Sequence, residues 1–403
     1  MSGPLSHIRV LDLSRVMAAP WAGQIFADLG ADVIKIERPG AGDDTRSWGP
    51  PFIEAEGMRD AGYFLCVNRG KRSVTVDMTK PEGQEILRSL AARSDIILEN
   101  FKVGTLRRFG LDYPTLKLLN PGLIYASVTG FGQTGPRRDQ AAYDFMIQAM
   151  GGLMSITGER DDVPGGGPQK VGVPIVDLMT GMYAAVAVLA ALANREKTGL
   201  GDYIDIAMLD VQAAFLANRA MNYLITGKTP ERNGNSHPNI QPQDVYACRD
   251  RKIALAVGND GQFAKFCEAI GAAALAQEDR FATNAARVAN LPDLSRIIAD
   301  CLVRQDAAVW IARFDAAGVP CAPINDVAAL LDDPQIIERR MVRHLPHPTA
   351  GTVPQIVSPM RFEREVLSFD RGPPVLGEHT AAVLAELGID DAACDALARR
   401  GAV

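Results

Sequence analysis

The 403-residue sequence has few of the residues that metal binding and nucleophilic catalysis use most often, and no excess of positive charge. It contains five histidines and six cysteines, and the cysteines are scattered without a CxxC pair or a histidine at ligand spacing. These absences exclude the common zinc motifs, and we predict no metal centre. A net charge of −6 and a pI near 5.5 exclude a general basic surface for nucleic acid.

The first residues, MSGPLSHIRVLDLS, have neither the apolar core of a signal peptide nor an arginine-rich transit segment. Scattered cysteines with no disulfide framework are typical of reduced thiols. We therefore expect a cytoplasmic protein that has neither nucleic acid nor a membrane as its partner.

Three frequent enzyme signatures are missing as well: HExxH and GxSxG from the whole sequence, and GxGxxG from the turn after the first predicted strand. Without the first two, there is little support for metal-dependent or serine hydrolysis. Glu37 ends a predicted strand where a dinucleotide-binding protein places its ribose-binding acid. The preceding turn, SRVMAAPWAGQ, nevertheless lacks the glycines that bind a pyrophosphate, so a nicotinamide-dependent dehydrogenase is disfavoured.

The sequence does contain a regular alternation of strand and helix patterns. Strands are predicted at 8–13, 31–37, 73–77, 95–100, 123–130 and 203–209, and helices at 21–29 and 82–92. This alternation predicts an α/β fold with a doubly wound, Rossmann-like parallel sheet in a large domain.

A second, smaller α+β domain is predicted after a linker-like stretch at 226–243. It would contain a hairpin that turns at 249–251, followed by short helices. We assign residues 1–225 to the large domain, with 340–403 returning to it, and residues 226–339 to the small domain with its linker.

Asp177 is the only charged residue in the apolar run VGVPIVDLMTGMYAAVAVLAALAN (171–194). The pattern predicts an interior helix over 178–194, apolar on all sides, with Asp177 near its N-cap position. Unpaired N–H groups at a helix N-terminus can keep such a poorly hydrated carboxylate ionised. An ordinary N-cap is the alternative interpretation. A membrane span is disfavoured because about 20 apolar residues are needed, and the predicted helix over 178–194 is shorter and is interrupted by Thr180 and Gly181.

Cationic residues cluster near the predicted strand ends and in the adjoining loops. They are Arg38, Lys71, Arg72, Lys102, Arg107, Arg108, Arg137 and Arg138. Ligands of open α/β sheets bind at the carboxyl ends of the strands, and guanidinium groups suit phosphate. The clusters therefore favour a phosphate-bearing ligand the size of a mononucleotide, although Arg107 and Arg137, taken singly, are typical of solvated surface charge.

Several long motifs in one order resemble the class III (CaiB/BaiF, formyl-CoA type) CoA-transferases, a family that also contains α-methylacyl-CoA racemase. They include VLDLSRVMAAPWAGQIFADLGADVIKIERPGAGDDTR, ENFKVGTLRRFG, YDFMIQAMGGLMSITG and VPIVDLMTG, and the resemblance covers essentially the whole chain. ERPGAGDDTRSWGPPF and NYLITGKTPERNGNSHPNI are similar to the branch that acts on glutarate and hydroxymethylglutarate with succinyl-CoA. The resemblance implies an interlocked homodimer with the active site where domains meet.

The resemblance also implies roles for individual residues. Asp177 matches the family's nucleophilic aspartate, which would carry the acyl group as an anhydride and CoA as a thioester. The positions that bind CoA, as part of the acyl-CoA substrate, are matched by Arg38, Asn100, Phe101, Lys102 and Arg108, and those lining its thioester end by Tyr143 and Asp144. The implied reaction moves CoA from an acyl-CoA such as succinyl-CoA to a carboxylic acid.

Two departures from the oxalate and formate enzymes of the family bear on the acceptor. Residues 236–240 replace a run of glycines that closes over the nucleophile, and Met17 stands in place of a glutamine. Both changes favour a longer dicarboxylate such as glutarate. Its distal carboxylate needs a cationic or hydrogen-bonding partner, for which Arg46, His237 and Asn239 are candidates.

Two alternatives remain. An acyl-CoA racemase needs an acid and a base on opposite faces of the α-carbon, and the racemases of this family have His before Asp where this chain has Tyr143 and Asp144. A tyrosine with a pKa near 10 is a poor base, which disfavours racemisation. A catalytically silent CoA-binding partner is disfavoured by the presence of Asp177.

Overall fold

The computed structural model describes residues 3–55 and 58–403. The strands are β1 (Arg9–Asp12), β2 (Asp32–Glu37), β3 (Phe52–Ala55), β4 (Met58–Ala61), β5 (Arg72–Thr75), β6 (Ile96–Glu99), β7 (Ile124–Thr129), β8 (Tyr203–Ala207), β9 (Gln243–Ala247), β10 (Lys252–Ala256), β11 (Cys321–Pro323), β12 (Val342–His347) and β13 (Gly351–Ile356). The α-helices are α1 (Ala18–Asp28), α2 (Gly62–Leu65), α3 (Pro81–Ala92), α4 (Tyr113–Leu116), α5 (Asp144–Met150), α6 (Leu153–Ile156), α7 (Ile175–Thr198), α8 (Met208–Phe215), α9 (Ala217–Thr226), α10 (Asp260–Ala269), α11 (Asn284–Ala289), α12 (Leu291–Leu302), α13 (Ala307–Ala317), α14 (Val327–Leu331), α15 (Pro334–Glu338), α16 (Thr380–Glu386) and α17 (Asp391–Arg399). Short 3₁₀ helices cover Asp44–Ser47, Leu106–Phe109 and Ala273–Gln277.

The chain divides into two compact units. The first contains the residues up to Leu153, together with Val171–Met221 and Gln335–Val403, and the second contains Met154–Lys170 and Asn222–Pro334. Residues 154–170 therefore belong to the second unit, whereas the sequence pattern had placed them in the large domain. Arg232 explains this placement, because its guanidinium donates to the carbonyl oxygens of Ser155 (3.1 Å) and Glu159 (3.3 Å).

The first unit is built on a six-stranded sheet in the order β5-β2-β1-β6-β7-β8. Every neighbouring pair is parallel; for example, Val10 of β1 lies beside Val33 of β2 and Ile96 of β6. All six strands lie where the sequence predicts them, which confirms the α/β fold with its parallel sheet. The chain starts in the middle of the sheet and reverses direction between β1 and β6. In sheets of this order, ligands bind at that switch point, outside the carboxyl ends of the strands.

Alternate side chains of the sheet face two hydrophobic cores, as expected of strands covered on both faces. Val10, Val33 and Ile96 pack in a core with α1 and α7. Leu11 and Ile34 pack in a second core with α3, α16 and α17, so the C-terminal helices cover part of the same sheet.

Helix α7 differs from its prediction at both its start and its surface. It begins at Ile175, which places Asp177 third in the first turn rather than at the cap. The expected all-round burial is wrong for this chain, because one face is buried while Met182, Tyr183 and Val186 are exposed. The length and hydropathy of α7 would also allow it to cross a membrane, but its buried face packs on α1.

The second unit contains a three-stranded antiparallel sheet in the order β11-β10-β9. The hairpin predicted at 249–251 is present, with Ala247 opposite Lys252. Aromatic side chains of α10 and α13 fill the core, including Phe266 and Phe314, whose ring centroids are 5.5 Å apart. Two further hairpins, β3–β4 and β12–β13 in the first unit, are not part of the predicted pattern.

Candidate active site

A cleft of about 210 Å³ lies at the carboxyl ends of β1, β6 and β7 in the first unit. The turn after β1 (15–18), the segment after β6 (100–103) and the last residues of β7 contribute to its walls, together with Tyr143 and Asp177. The cleft therefore adjoins the switch point between β1 and β6, where the topology of the sheet predicts a ligand.

Asp177 is the most chemically distinctive group of the cleft. It is 9% exposed, and among the described residues no hydrogen-bond donor contacts its carboxylate. Burial, and then the nearby negative charge of Asp144, raise the pKa of Asp177 from 3.8 to about 7. The expectation that the helix N-terminus keeps Asp177 fully ionised is therefore wrong. Near pH 7 the side chain is divided between a neutral acid and a carboxylate.

Asp144, rather than Asp177, caps helix α7. Its Oδ2 accepts the backbone N–H groups of Val176 (2.8 Å) and Asp177 (3.3 Å), while its Oδ1 accepts from Gln148 Nε2 (2.5 Å). The positive end of the helix dipole therefore faces the Asp144 carboxylate. These N–H groups are therefore not available to the Asp177 carboxylate, which lies in the cleft without hydrogen bonds from the helix N-terminus.

Five other predicted site residues line the same cleft as Asp177. They are Met17, Asn100, Phe101, Lys102 and Tyr143. Asn100 uses its amide on protein rather than leaving it free for a ligand: its Oδ1 accepts from Arg15 N (2.9 Å), and its Nδ2 donates to Arg15 O (2.6 Å). Asn100 therefore joins the segment after β6 to the turn after β1.

A second cleft, of about 190 Å³, shares Arg15 and Phe101 with the first. Arg38 lines it with a 61% exposed side chain and forms an ion pair with Asp44 (3.4 Å). Arg108 is exposed nearby in the chain, and its guanidinium lies 5.7 Å from the ring centre of Phe109, which also lines this cleft. The second cleft thus has cations on its wall, and Arg108 lies beside one of its lining residues.

The sequence patterns missed Arg15 as a site residue. It lines both clefts, pairs with Asp44 at 3.3 Å and lies 5.2 Å from the centre of the Phe101 ring. The signal for it was its position directly after the central strand β1, at the switch point. Arg138, by contrast, belongs to a predicted cationic cluster and does line the first cleft.

Arg46 must be corrected as a candidate for the distal carboxylate. Its guanidinium is 6% exposed and donates to Glu37 (2.8 and 2.7 Å) and to Asp60 (2.7 Å). Because Nε, Nη1 and Nη2 of Arg46 all donate to these two buried carboxylates, the guanidinium is not available to bind a substrate carboxylate. The same ion pairs occupy Glu37, so it does not serve as a ribose-binding acid.

The predicted cationic cluster before β5 is also structural. Lys71 is fully buried against Asp12 (2.8 Å), and burial lowers the pKa of Lys71 to about 8. Arg72 pairs with Asp32 and Glu386, each at 2.6 Å. Of the predicted cationic clusters, those after β6 and β7, together with Arg38, therefore stay available to a ligand.

His237 and Asn239 lie in the second unit, where they shape their own loop. Nδ1 of His237 accepts the backbone N–H groups of Asn239 and Ile240, both at 3.1 Å. Oδ1 of Asn239 accepts from Asn222 Nδ2 at 3.2 Å. Their predicted contact with substrate stays a prediction.

Cysteine offers no alternative nucleophile in the clefts. All six thiols are unpaired, and none lines either cleft. Burial raises the pKa of Cys267 to about 12 and that of Cys321 to about 11, so these thiols stay protonated and unreactive. Within residues 3–55 and 58–403, no three His, Cys, Asp or Glu side chains are grouped as metal ligands.

Comparison with known proteins decides the family. The model of CoA-transferase family III matches residues 5–380. The chain belongs to CoA-transferase family III. It is therefore an enzyme of the CoA-transferase type, and the racemase alternative is not favoured.

Two relatives and one solved structure cover nearly the whole chain. The succinate–glutarate CoA-transferase of Agrobacterium fabrum is 47% identical over 386 residues, covering 95% of this chain and 96% of the relative. The human succinyl-CoA:glutarate CoA-transferase is 40% identical over 401 residues, covering 99% and 90%. The crystal structure of a CaiB/BaiF family protein from Brucella suis is 47% identical with a TM-score of 0.85, covering 96% and 100%.

Proposed function

We propose that this CoA-transferase moves CoA from succinyl-CoA to a dicarboxylic acid such as glutarate, with Asp177 as the covalent carrier. The single observation that supports the role of Asp177 is its carboxylate in the switch-point cleft, which is buried and has no hydrogen-bond donor among the described residues. The names of the relatives at 47% and 40% identity support the two substrates.

The reaction proceeds by exchange at the Asp177 carboxyl group. Its carboxylate attacks the thioester carbonyl, the C–S bond breaks, and CoA leaves as a thiolate while a mixed anhydride forms. The thiolate then attacks the Asp177 carbonyl, which releases succinate and leaves CoA on Asp177 as a thioester. The acceptor carboxylate attacks this thioester, the C–S bond breaks, and a second mixed anhydride forms as the CoA thiolate leaves. The thiolate then attacks the acceptor carbonyl, which gives the acceptor CoA ester and releases the Asp177 carboxylate.

Among the described residues, no histidine lines the cleft that contains Asp177, which fits this chemistry. A thiol has a pKa near 8.5, so CoA departs as a thiolate without a general acid. A carboxylate that no donor stabilises is also a stronger nucleophile than one held in an ion pair. Burial of Asp177 further protects the anhydride and thioester from water.

The cations near the clefts are proposed to hold the phosphates of CoA. Arg38 and Lys102 line the clefts, and Arg108 lies beside the Phe109 ring. Guanidinium and ammonium groups bind phosphate through charge-assisted hydrogen bonds. The thioester would then lie toward Asp177 and Tyr143.

The position of Asp144 argues against proton transfer by this chain. A racemase needs a second, free acid or base, and the Asp144 carboxylate is occupied by two backbone N–H groups and Gln148. Tyr143 precedes it in place of a histidine. Both observations support transfer over racemisation.

We also propose that the enzyme acts as a homodimer. In the single chain, the outer face of α7 exposes Tyr183 and Val186, and a groove of about 710 Å³ is lined by Trp21, Met341 and Met360. Apolar surface of this extent is typical of a face that another subunit covers.

The decisive experiment incubates the enzyme with succinyl-CoA and a panel of acids, with mass spectrometry of the CoA esters. Asp177→Asn should abolish exchange, and hydroxylamine should modify Asp177 during turnover of the parent enzyme. Asp210→Asn is the matched control, since Asp210 is also third in the first turn of its helix but is exposed. Turnover that survives in Asp177→Asn would refute the nucleophile.

The acceptor class is tested with the same assay. kcat/KM should be higher for glutarate than for butyrate or oxalate, because a paired distal carboxylate contributes only with the dicarboxylate. Equal values for butyrate and glutarate, or a higher value for oxalate, would overturn the proposed acceptor while leaving the CoA-transferase activity intact.

A further inference from the structure

Val16 has an unusual backbone conformation in the turn between β1 and α1. Its φ is +70°, in the left-handed region that β-branched residues rarely occupy. Val16 and the next residue, Met17, both line the cleft that contains Asp177. Since a strained residue persists only where its surroundings hold it, the groups that bind this turn matter for the site.

Two fully buried charged side chains form hydrogen bonds with the backbone of this turn. Lys35 and Asp43 have completely buried side chains that form an ion pair at 2.9 Å. Lys35 Nζ also donates to the carbonyl oxygen of Ser14 at 2.9 Å. The two oxygens of Asp43 accept the backbone N–H of Val16, each at 3.3 Å. The ion pair therefore forms hydrogen bonds with the backbone on both sides of Arg15, at the carbonyl of Ser14 and the N–H of Val16.

We propose that the Lys35–Asp43 ion pair is a positioning pair for the active site, which holds Val16 in its left-handed conformation so that Val16 and Met17 form the wall of the cleft containing Asp177. The inference rests on the proposed role of Asp177. The physical reason is that hydrogen bonds are directional. A buried ion pair adds little net stability compared with apolar side chains, but it can fix two backbone groups that apolar side chains would leave without hydrogen bonds.

Substitution of Asp43 by asparagine tests the pair with little change of shape. The polar groups that contact the Asp43 carboxylate within residues 3–55 and 58–403 are all donors: Lys35 Nζ, the N–H and hydroxyl of Thr45, and the N–H of Val16. An amide has only one acceptor oxygen, so Asp43→Asn must turn its NH₂ group toward some of these donors. We expect kcat to fall by about ten- to a hundredfold, with a smaller change in KM, as is typical when a strained site residue is released.

The matched control is Asp28→Asn. Asp28 forms a similarly buried ion pair with Arg69 (2.6 Å) in the same unit, but its carboxylate accepts from Arg69 and not from the turn that contains Val16. Both substitutions should lower the melting temperature. Only Asp43→Asn should lower kcat.

Val16→Gly supplies a readout that a purely structural role would not move. Glycine adopts positive φ without strain, so the turn no longer needs the ion pair to hold it. Val16→Gly combined with Asp43→Asn should therefore regain most of the lost kcat, whereas Val16→Gly should not improve Asp28→Asn. If Asp43→Asn does not fold, Lys35→Met with Asp43→Ala removes both charges, and the same rescue by Val16→Gly is expected.

Hydrogen exchange of the peptide containing Ser14–Met17 provides a measurement independent of turnover. Exchange should become faster in Asp43→Asn and not in Asp28→Asn. Unchanged exchange and unchanged kcat in Asp43→Asn, or a loss of kcat that Val16→Gly does not relieve, would overturn the positioning role. If exchange is faster in Asp43→Asn but the parent protein shows no CoA transfer, the role of the ion pair in fixing the turn is supported. The proposed function is then refuted instead.

Discussion

Asp144, and not Asp177, accepts the backbone N–H groups at the N-terminus of α7. Oδ2 of Asp144 accepts the N–H of Asp177 at 3.3 Å and that of Val176 at 2.8 Å. The Asp177 carboxylate is therefore left unstabilised beside a second negative charge. This arrangement, added to burial, raises the pKa of Asp177 to about 7. A more basic carboxylate suits the proposed attack on a thioester.

Asp144→Asn should move the acidic limb of the pH profile of kcat/KM to lower pH. The asparagine oxygen can still accept the two N–H groups, while the like charge that raises the pKa of Asp177 is gone. The profile is measured from pH 5 to 9 with succinyl-CoA, and Asp210→Asn, an exposed helix aspartate, serves as the control. An unmoved limb in Asp144→Asn would mean that burial alone sets the pKa.

The free energy of unfolding of Asp177→Asn, relative to that of the parent at the same pH, should increase as pH rises. The pKa of Asp177 is about 7 when folded and near 3.8 when unfolded, so the folded state binds more protons between these values and loses stability as pH rises through that window. The full penalty, present above pH 7, is on the order of 4 kcal/mol. Denaturant unfolding from pH 4 to 8 should show the difference between variant and parent growing with pH, and a constant difference would contradict it.

Arg108→Ala should weaken CoA binding by about ten- to a hundredfold, as measured by titration calorimetry. The reason is the loss of a charge-assisted bond to phosphate. Arg399→Ala is the matched control, because this arginine is also exposed in the first unit but lies on α17, which contributes no residue to either cleft. Equal dissociation constants for both variants and the parent would place the phosphates elsewhere.

Arg46→Ala should unfold more easily without a specific change of acceptor. Removal of this guanidinium leaves Glu37 and Asp60 buried and unpaired, which costs about 3 to 5 kcal/mol. Arg59→Ala breaks the exposed ion pair with Glu54 and should cost less than about 1 kcal/mol. A selective loss of activity with glutarate, at unchanged stability, would restore Arg46 as a substrate contact.

Much of the fold and part of the site could be predicted from the sequence. The six strands of the parallel sheet follow from period-two apolar runs separated by helix patterns, a local signal that needs no knowledge of tertiary contacts. Asp177 stands out because a charge within an apolar run is conspicuous in one dimension. Lys102 follows from its place after β6, whereas Asn100 and Phe101 follow from the family resemblance, and the structure brings all three to the same cleft as Asp177.

Only the tertiary structure decided which charged groups are available. Arg46, Lys71 and Arg72 look like ligand-binding cations in sequence, yet each is neutralised by carboxylates that are distant in the chain or on another strand. The pKa of Asp177 likewise depends on Asp144, which reaches the same helix from another element. Electrostatic energy depends on distance and burial in three dimensions, and these quantities exist only once the strands and helices have packed.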